Sequence, residues 1–320
     1  MSDFAGGTNF IILSILTLSL SPTHTARQIL ASILLALWAL RLSGFLLFRI
    51  LKTGHDTRFD DKRSRFFPFL GFWMFQALWV WTVSLPVTIL NSPRVTSHGR
   101  QPAFGTAADI VGIIMYAVGF LLEAVADVQK YRYRSQSRSS VHAPSSNNTD
   151  NATARNTCDV GLFSWSRHPN YFGEIVVQFA IFTLAISPSA YGYIPSYSDA
   201  SAAQYSTILG AVFLTLLLLF VSGLTLQERP GAKKRFEKDG PDGDTWVRYK
   251  DWLDRTSILI PMPPAVWRRL PTAVKRTVGC EWPIYVFKPE READMKSVQR
   301  RTEEEGRQRV ESQHGLKSGS

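Results

Sequence analysis

Apolar and polar residues follow one another along this chain in blocks, and the apolar blocks have membrane dimensions. A helix needs about 20 mostly apolar residues to cross a bilayer core. Residues 28–50, 67–90, 109–128 and 206–226 form runs on that scale, and Tyr171 to Ile186 is long enough to enter a bilayer. Residues 9–20 form a shorter apolar run, which reads as a membrane-surface helix or the stub of a longer one. Polar stretches at 52–66, 91–107, 135–157 and 187–205 separate the runs. The pattern predicts an all-α, polytopic integral membrane bundle of about five to six transmembrane helices. Its domain covers residues 1–264, with a low-complexity, disordered loop at 135–157. A charged, mobile tail is expected over 285–320.

Charge changes the picture by giving the bundle a direction. The 320 residues carry a net charge of +10, yet the mean hydropathy is only −0.04. That average hides a segregation of apolar residues before 230 and charged residues after 285. Lys and Arg concentrate in 49–66, 130–155 and beyond 228, whereas 91–107 and 187–205 carry few or none. Short basic runs beside apolar spans fit membrane topology and point away from nucleic acid. The basic loops and the C-terminus are then cytosolic, so the sequons at Asn147 and Asn151 lie on the side where they are not used. Cys158 and Cys280 are too few for a disulfide framework or a zinc cluster, which fits a reducing compartment.

Candidate chemistry lies in the few polar residues inside or beside the spans. The central stretch is Ser166-Arg-His-Pro-Asn-Tyr-Phe-Gly-Glu174. Pro169 suits a first helical position, and Arg167 and His168 would stand at that helix's positive end, where anions bind. Asn170 and Glu174 share one face, and a carboxylate one turn inside a membrane helix is a functional candidate. Arg41 interrupts a span more than two turns from its nearer end, so it either snorkels or faces a polar cavity. Glu123, Asp127, Lys130 and Arg134 line one helical stripe, either as a self-paired ladder or as one wall of a pocket. Gln76 is placed to bridge helices or to touch a ligand. Trp246, Tyr249, Trp252 and Leu253 share the apolar face of a short amphipathic helix. Topology sends Arg41, the Asp127–Arg134 stripe, Arg167 to Glu174, Glu228 and Tyr249 towards one membrane face. This convergence predicts a shared pocket with cations for a phosphorylated cofactor and membrane walls for a lipid-soluble substrate.

These residues resemble those of the steroid 5-alpha-reductase-like membrane proteins. The pieces that carry the likeness are Trp38-Ala-Leu-Arg-Leu, Arg49 to Asp60, Glu123-Ala-Val-Ala-Asp-Val-Gln-Lys, Ser166 to Glu174, Ser222-Gly-Leu and Arg255-Thr-Ser-Ile-Leu-Ile-Pro. The likeness covers most of 28–264, and its Arg-His-Pro-x-Tyr-x-Gly core also occurs in isoprenylcysteine methyltransferase-like enzymes. It implies an endoplasmic-reticulum enzyme that uses NADPH to saturate a conjugated carbon–carbon double bond in a sterol, terpenoid or polyketide-like lipid. The implied cofactor positions are Arg41, Asp127, Arg134, Asn170 and Glu174, joined by Glu228 and Tyr249; Lys130, Arg167 and His168 belong to the same cationic face. The tyrosine that the steroid reductases carry beside the matching arginine is replaced by Trp38 or a neighbour, so Tyr171, Tyr116 or Glu123 would act as the acid. Two alternatives stay open: an S-adenosylmethionine-dependent methyltransferase, and a non-catalytic lipid-binding protein.

Overall fold

The computed structural model describes residues 2–53, 66–97, 101–141 and 157–292. Among them there are helices, turns and one isolated bridge, and no β-strand. The main helices are α1 (Ser2–Ser19), α2 (Ala26–Thr53), α3 (Phe66–Leu90), α4 (Ala107–Val141), α5 (Pro169–Ala185), α6 (Ile208–Leu216), α7 (Leu224–Asp239) and α8 (Asp244–Arg255). Four stretches are long and apolar enough to cross a membrane: Ala26–Phe45, Phe69–Thr96, Ala107–Ser135 and Asp199–Lys238. The chain is therefore a multi-pass helical membrane protein. Large apolar side chains such as Trp81, Ile114 and Leu121 point outward, as lipid permits. The other expected span, α5, has 17 residues; the apolar part of α1, Gly6–Ser19, is short of a full crossing, as the run 9–20 predicts.

Three sequence expectations are corrected. The polar stretch 135–157 does not begin as a disordered loop, because α4 continues to Val141. Loss of apolar side chains ends a buried surface, whereas the backbone ladder needs only its own hydrogen bonds; residues 142–156 lie outside the described set. The run 206–226 is not one regular helix: α6 passes into a π-helical turn at Leu217–Val221, and α7 starts after Gly223. The connection at 187–205 contains two short helices, Ser187–Ala190 and Asp199–Ser206. Of the expected tail, Pro283–Tyr285 and Pro289–Glu292 are short helical turns, and the residues after 292 lie outside the described set.

The chain divides into two compact units: Met1–Ala124 with Gly173–Leu217, and Val125–Phe172 with Leu218–Ser320. In the first, Phe10 of α1 is a fully buried wedge. Its ring meets Trp38 of α2 edge-on at 5.2 Å and Trp79 of α3 at 4.9 Å, a favoured aromatic geometry. Pro86 lies inside α3 and cannot donate to Thr82 four residues earlier. Gly210 of α6 packs over that carbonyl, where a Cβ would come within 2.4 Å of the Thr82 oxygen.

A reciprocal glycine contact in this unit joins α4 and α5. A Cβ at Gly119 would lie 2.8 Å from the Gly173 carbonyl oxygen, and one at Gly173 would lie 2.6 Å from that of Gly119. Small residues allow such backbone contact in a membrane, where dispersion replaces the hydrophobic drive. Gly119→Val is expected to force the helices apart and cost about 1–3 kcal/mol, the range of an overpacked core. The loss should register as an earlier unfolding midpoint in detergent, with membrane insertion unchanged.

The second unit is built on the amphipathic face of α8. Trp246, Tyr249 and Trp252 pack with Ala232 and Phe236 of α7 and with Phe287, and Leu253 lies beside them. The Arg235 guanidinium covers the Tyr249 ring at 4.5 Å. The Trp252 indole N–H donates to the Phe163 carbonyl at 2.9 Å, so the indole's polar edge is satisfied although the residue is buried.

Candidate functional site

Two of the sequence motifs are zipped together within the second unit. The Arg167 backbone N–H donates to Ser257 O at 2.8 Å, and Met262 N–H donates to Trp165 O at 3.1 Å. Ser166 Oγ donates to Leu259 O at 2.8 Å and accepts from the His168 N–H at 3.1 Å. Residues 165–168 are thus fixed by 257–262, and Pro169 then opens α5. The result is a rigid platform from which Arg167 and His168 project into the unit.

Both side chains are buried and both meet Glu228 of α7. Arg167 Nη1 donates to Glu228 Oε2 at 2.6 Å, and His168 Nε2 lies 2.7 Å from Glu228 Oε1. The second terminal nitrogen of Arg167, Nη2, is taken by Glu281. The anions that the sequence expects at this helix start are therefore present, but they come from the chain itself. Burial pushes the His168 pKa down, against the pull of Glu228. The imidazole is accordingly neutral near pH 7 and donates its Nε2 proton to the carboxylate. Burial also pushes the Glu281 carboxyl up, against the opposing pull of Arg167.

Three polar atoms around this platform are buried and have no hydrogen-bond partner among the described residues: Arg167 Nε, His168 Nδ1 and Asn170 Oδ1. Buried polar groups are almost always paired, so each is a candidate ligand contact. Tyr171 stacks on His168, with ring centres 5.1 Å apart and planes 6° from parallel, and its hydroxyl meets Gln227. Tyr249 is buried in the same unit, and burial raises its hydroxyl pKa. Asp127 and Lys130 are half-buried on α4 and Arg134 is exposed. Lys130 sits 5.8 Å from the centre of the Phe163 ring.

The other sequence candidates belong to the first unit. Arg41 Nη2 pairs with Glu123 Oε1 at 3.1 Å, with Glu123 almost fully buried. Arg41 therefore turns inward to α4 rather than snorkelling, and Glu123 pairs across helices as well as lying on its own stripe. The Tyr116 hydroxyl donates to Leu34 O at 2.7 Å. Glu174 is half-buried on α5. The indole N–H of the fully buried Trp38 has no acceptor among the described residues. Likeness pieces between 54 and 60 lie outside the described set. No group of residues able to hold a metal occurs among the described residues.

A family match now covers residues 1–241. The chain belongs to the DUF1295 family. That family is described as one of unknown function and is associated with steroid 5-alpha-reductase-like proteins. No curated protein and no solved structure matches the chain. In this DUF1295 protein the matched region contains Arg167, His168 and Glu228 but stops before Tyr249, Ser257 and Glu281. Sequence reasoning missed Glu281 because nothing local marks it: it lies 114 residues from Arg167 in a segment whose other charges are mostly exposed.

Proposed function

We propose that this DUF1295 protein is an NADPH-dependent reductase that saturates a conjugated carbon–carbon double bond in a lipid-soluble substrate. The reading places it in the endoplasmic-reticulum membrane, with its basic loops and C-terminus in the cytosol. The observation that carries it is the buried Arg167–His168–Glu228 constellation on the Arg-His-Pro-Asn-Tyr segment. An enzyme can use such ionisable groups in a dry environment, whereas a structural anchor has no need of them. The unpartnered atoms of Arg167, His168 and Asn170 fit a ligand with several hydrogen-bonding groups, as a dinucleotide has.

In this reading Asn170, His168 and Arg167 of the second unit bind the cofactor, with Asp127, Lys130, Arg134, Glu228 and Tyr249 of the same unit as further contacts. Bound NADPH supplies a hydride to the β-carbon of an enone. Glu228 holds His168 in one tautomer and orientation, leaving Nδ1 as an acceptor. Tyr171, Tyr116 and Glu123 are the candidates for proton delivery.

One observation favours a second reading. The cluster joins one arginine and a neutral histidine to two carboxylates, a balance suited to the sulfonium and ammonium groups of S-adenosylmethionine. Binding to purified protein in detergent separates the readings. Retention of NADPH is expected; retention of S-adenosylmethionine alone would replace the reductase by a methyltransferase, and retention of neither would leave a lipid-binding protein. Arg134→Ala should weaken NADPH more than NADH if its guanidinium meets the 2′-phosphate, and equal weakening would move it away from that group.

A further inference from the structure

Glu281 is the least explained member of the charge cluster. Glu228 already accepts from both Arg167 and His168 and is buried, so the arginine has an anion without help. Glu281 adds a second carboxylate to a group with one cation and a neutral imidazole. It is also the outermost member: its side chain is 26 % exposed, against 6 % for Glu228. Burial pushes its carboxyl up, against the opposing pull of Arg167.

The segment carrying Glu281 is built to aim it. The short helix Thr272–Thr277 is closed by Gly279 N–H to Val274 O at 3.1 Å and Glu281 N–H to Lys275 O at 3.0 Å. The residue between them, Cys280, has φ of 57°, the left-handed setting that glycine usually fills at such a helix end. A non-glycine residue there is held by its surroundings. Two contacts hold it downstream: the Trp282 ring stacks on Phe220 at 5.1 Å, and the Tyr285 hydroxyl donates to Leu219 O at 2.8 Å. Beneath Glu281, Arg167 Nε and His168 Nδ1 stay unpartnered among the described residues, although both residues are more than nine-tenths buried.

We propose that residues 279–285 form a strap whose Glu281 carboxylate occupies an anion seat on Arg167, and that a phosphate-bearing ligand displaces it. The strap lies beyond the family-matched residues, as does the 257–262 segment that fixes the platform. The proposal deepens the NADPH reading by giving its phosphates a place and a competitor. Entry of the ligand exchanges one anion for another on the Nη2 side of the guanidinium, while Glu228 keeps its contact with Nη1. Trp282 and Tyr285 would hold the strap closed when no ligand is present.

The test uses full-length protein in detergent, with inorganic pyrophosphate, NADPH and S-adenosylmethionine as separate probes in calorimetry. Glu281→Gln is expected to bind pyrophosphate about tenfold more tightly than wild type, because the seat is no longer filled by a charged competitor. Trp282→Ala keeps the carboxylate but loosens the strap, and should give a smaller gain. Arg167→Gln combined with Glu281→Gln should abolish the gain of Glu281→Gln. Pyrophosphate should also speed hydrogen exchange at the Glu281 amide, which is bonded to Lys275 O when the strap is closed. Unchanged or weaker pyrophosphate binding in both single variants would overturn the strap. If wild type retains NADPH while neither variant changes, the strap alone falls. If the variants gain pyrophosphate while no protein retains NADPH, the seat stands and the reductase reading falls.

Discussion

Asp109→Ala is expected to destabilise the first unit by about 3–5 kcal/mol, the cost of stranding one member of a buried ion pair. Arg27 Nε donates to Asp109 Oδ1 at 2.7 Å and Nη2 donates to Oδ2 at 2.7 Å, with side-chain exposures of 1 % and 0 %. The remaining capacity is also used. Arg27 reaches the carbonyls of Pro102 and Ala103, and Asp109 Oδ2 accepts from the backbone N–H groups of Gly105 and Thr106 at 3.0 Å. Alanine at 109 would therefore leave a guanidinium and two loop amides without their anion. Denaturant titration in mixed micelles should show the loss as an earlier transition. Replacing both residues with apolar side chains should recover much of it, since the penalty comes from the stranded charge. A single variant as stable as wild type would show that the pair is solvated.

Glu228→Ala should have a comparable effect in the second unit and a pH signature of its own. It removes the anion shared by Arg167 and His168, again at a cost of about 3–5 kcal/mol. Binding of NADPH should fall with it, because the platform loses the group that orients both side chains. The sign of the pH effect follows from His168, whose pKa is held below the ordinary 6.5 by burial. A depressed histidine contributes stability above its unfolded-state value, and that contribution is lost as the pH falls. In wild type Glu228 opposes the depression, so the loss is moderated. Without it the imidazolium has no close anion, and the variant should lose more stability than wild type between pH 6.5 and 5. Tryptophan fluorescence across that range would report the difference; parallel curves would show that His168 does not titrate with unfolding.

What the sequence makes legible here is set by the range of each interaction. Apolar length is local, so the helices from Ala26, Phe66, Ala107 and Pro169 lie close to where the runs predict. Helix continuation into polar sequence is less visible, because the backbone ladder of α4 persists beyond its apolar face. The split between α6 and α7 is also hidden, since Leu217–Val221 is as apolar as its neighbours and only Ser222-Gly223 hints at a break. Pairing is the least legible level. Arg27 and Asp109 each look like a charge at the end of a run, and 82 residues separate them. Arg41 and Glu123 were recognisable as costly membrane charges, but not as partners. At the candidate site, Arg167, His168 and Glu228 stood out as residues, whereas Ser166 and Glu281 gain meaning only from segments about a hundred positions away.

The zipping of 165–167 onto 257–262 also sets an order of events during synthesis. When the Arg-His-Pro segment leaves the ribosome, the segment that holds it does not yet exist; Ser166 must wait for Leu259, 93 residues later. Until then Arg167 and His168 stand without the backbone that seats them, while the spans on either side are already able to enter the bilayer. Maturation of the ligand site would thus trail membrane integration, and a nascent chain halted before residue 257 would be inserted yet unable to assemble it.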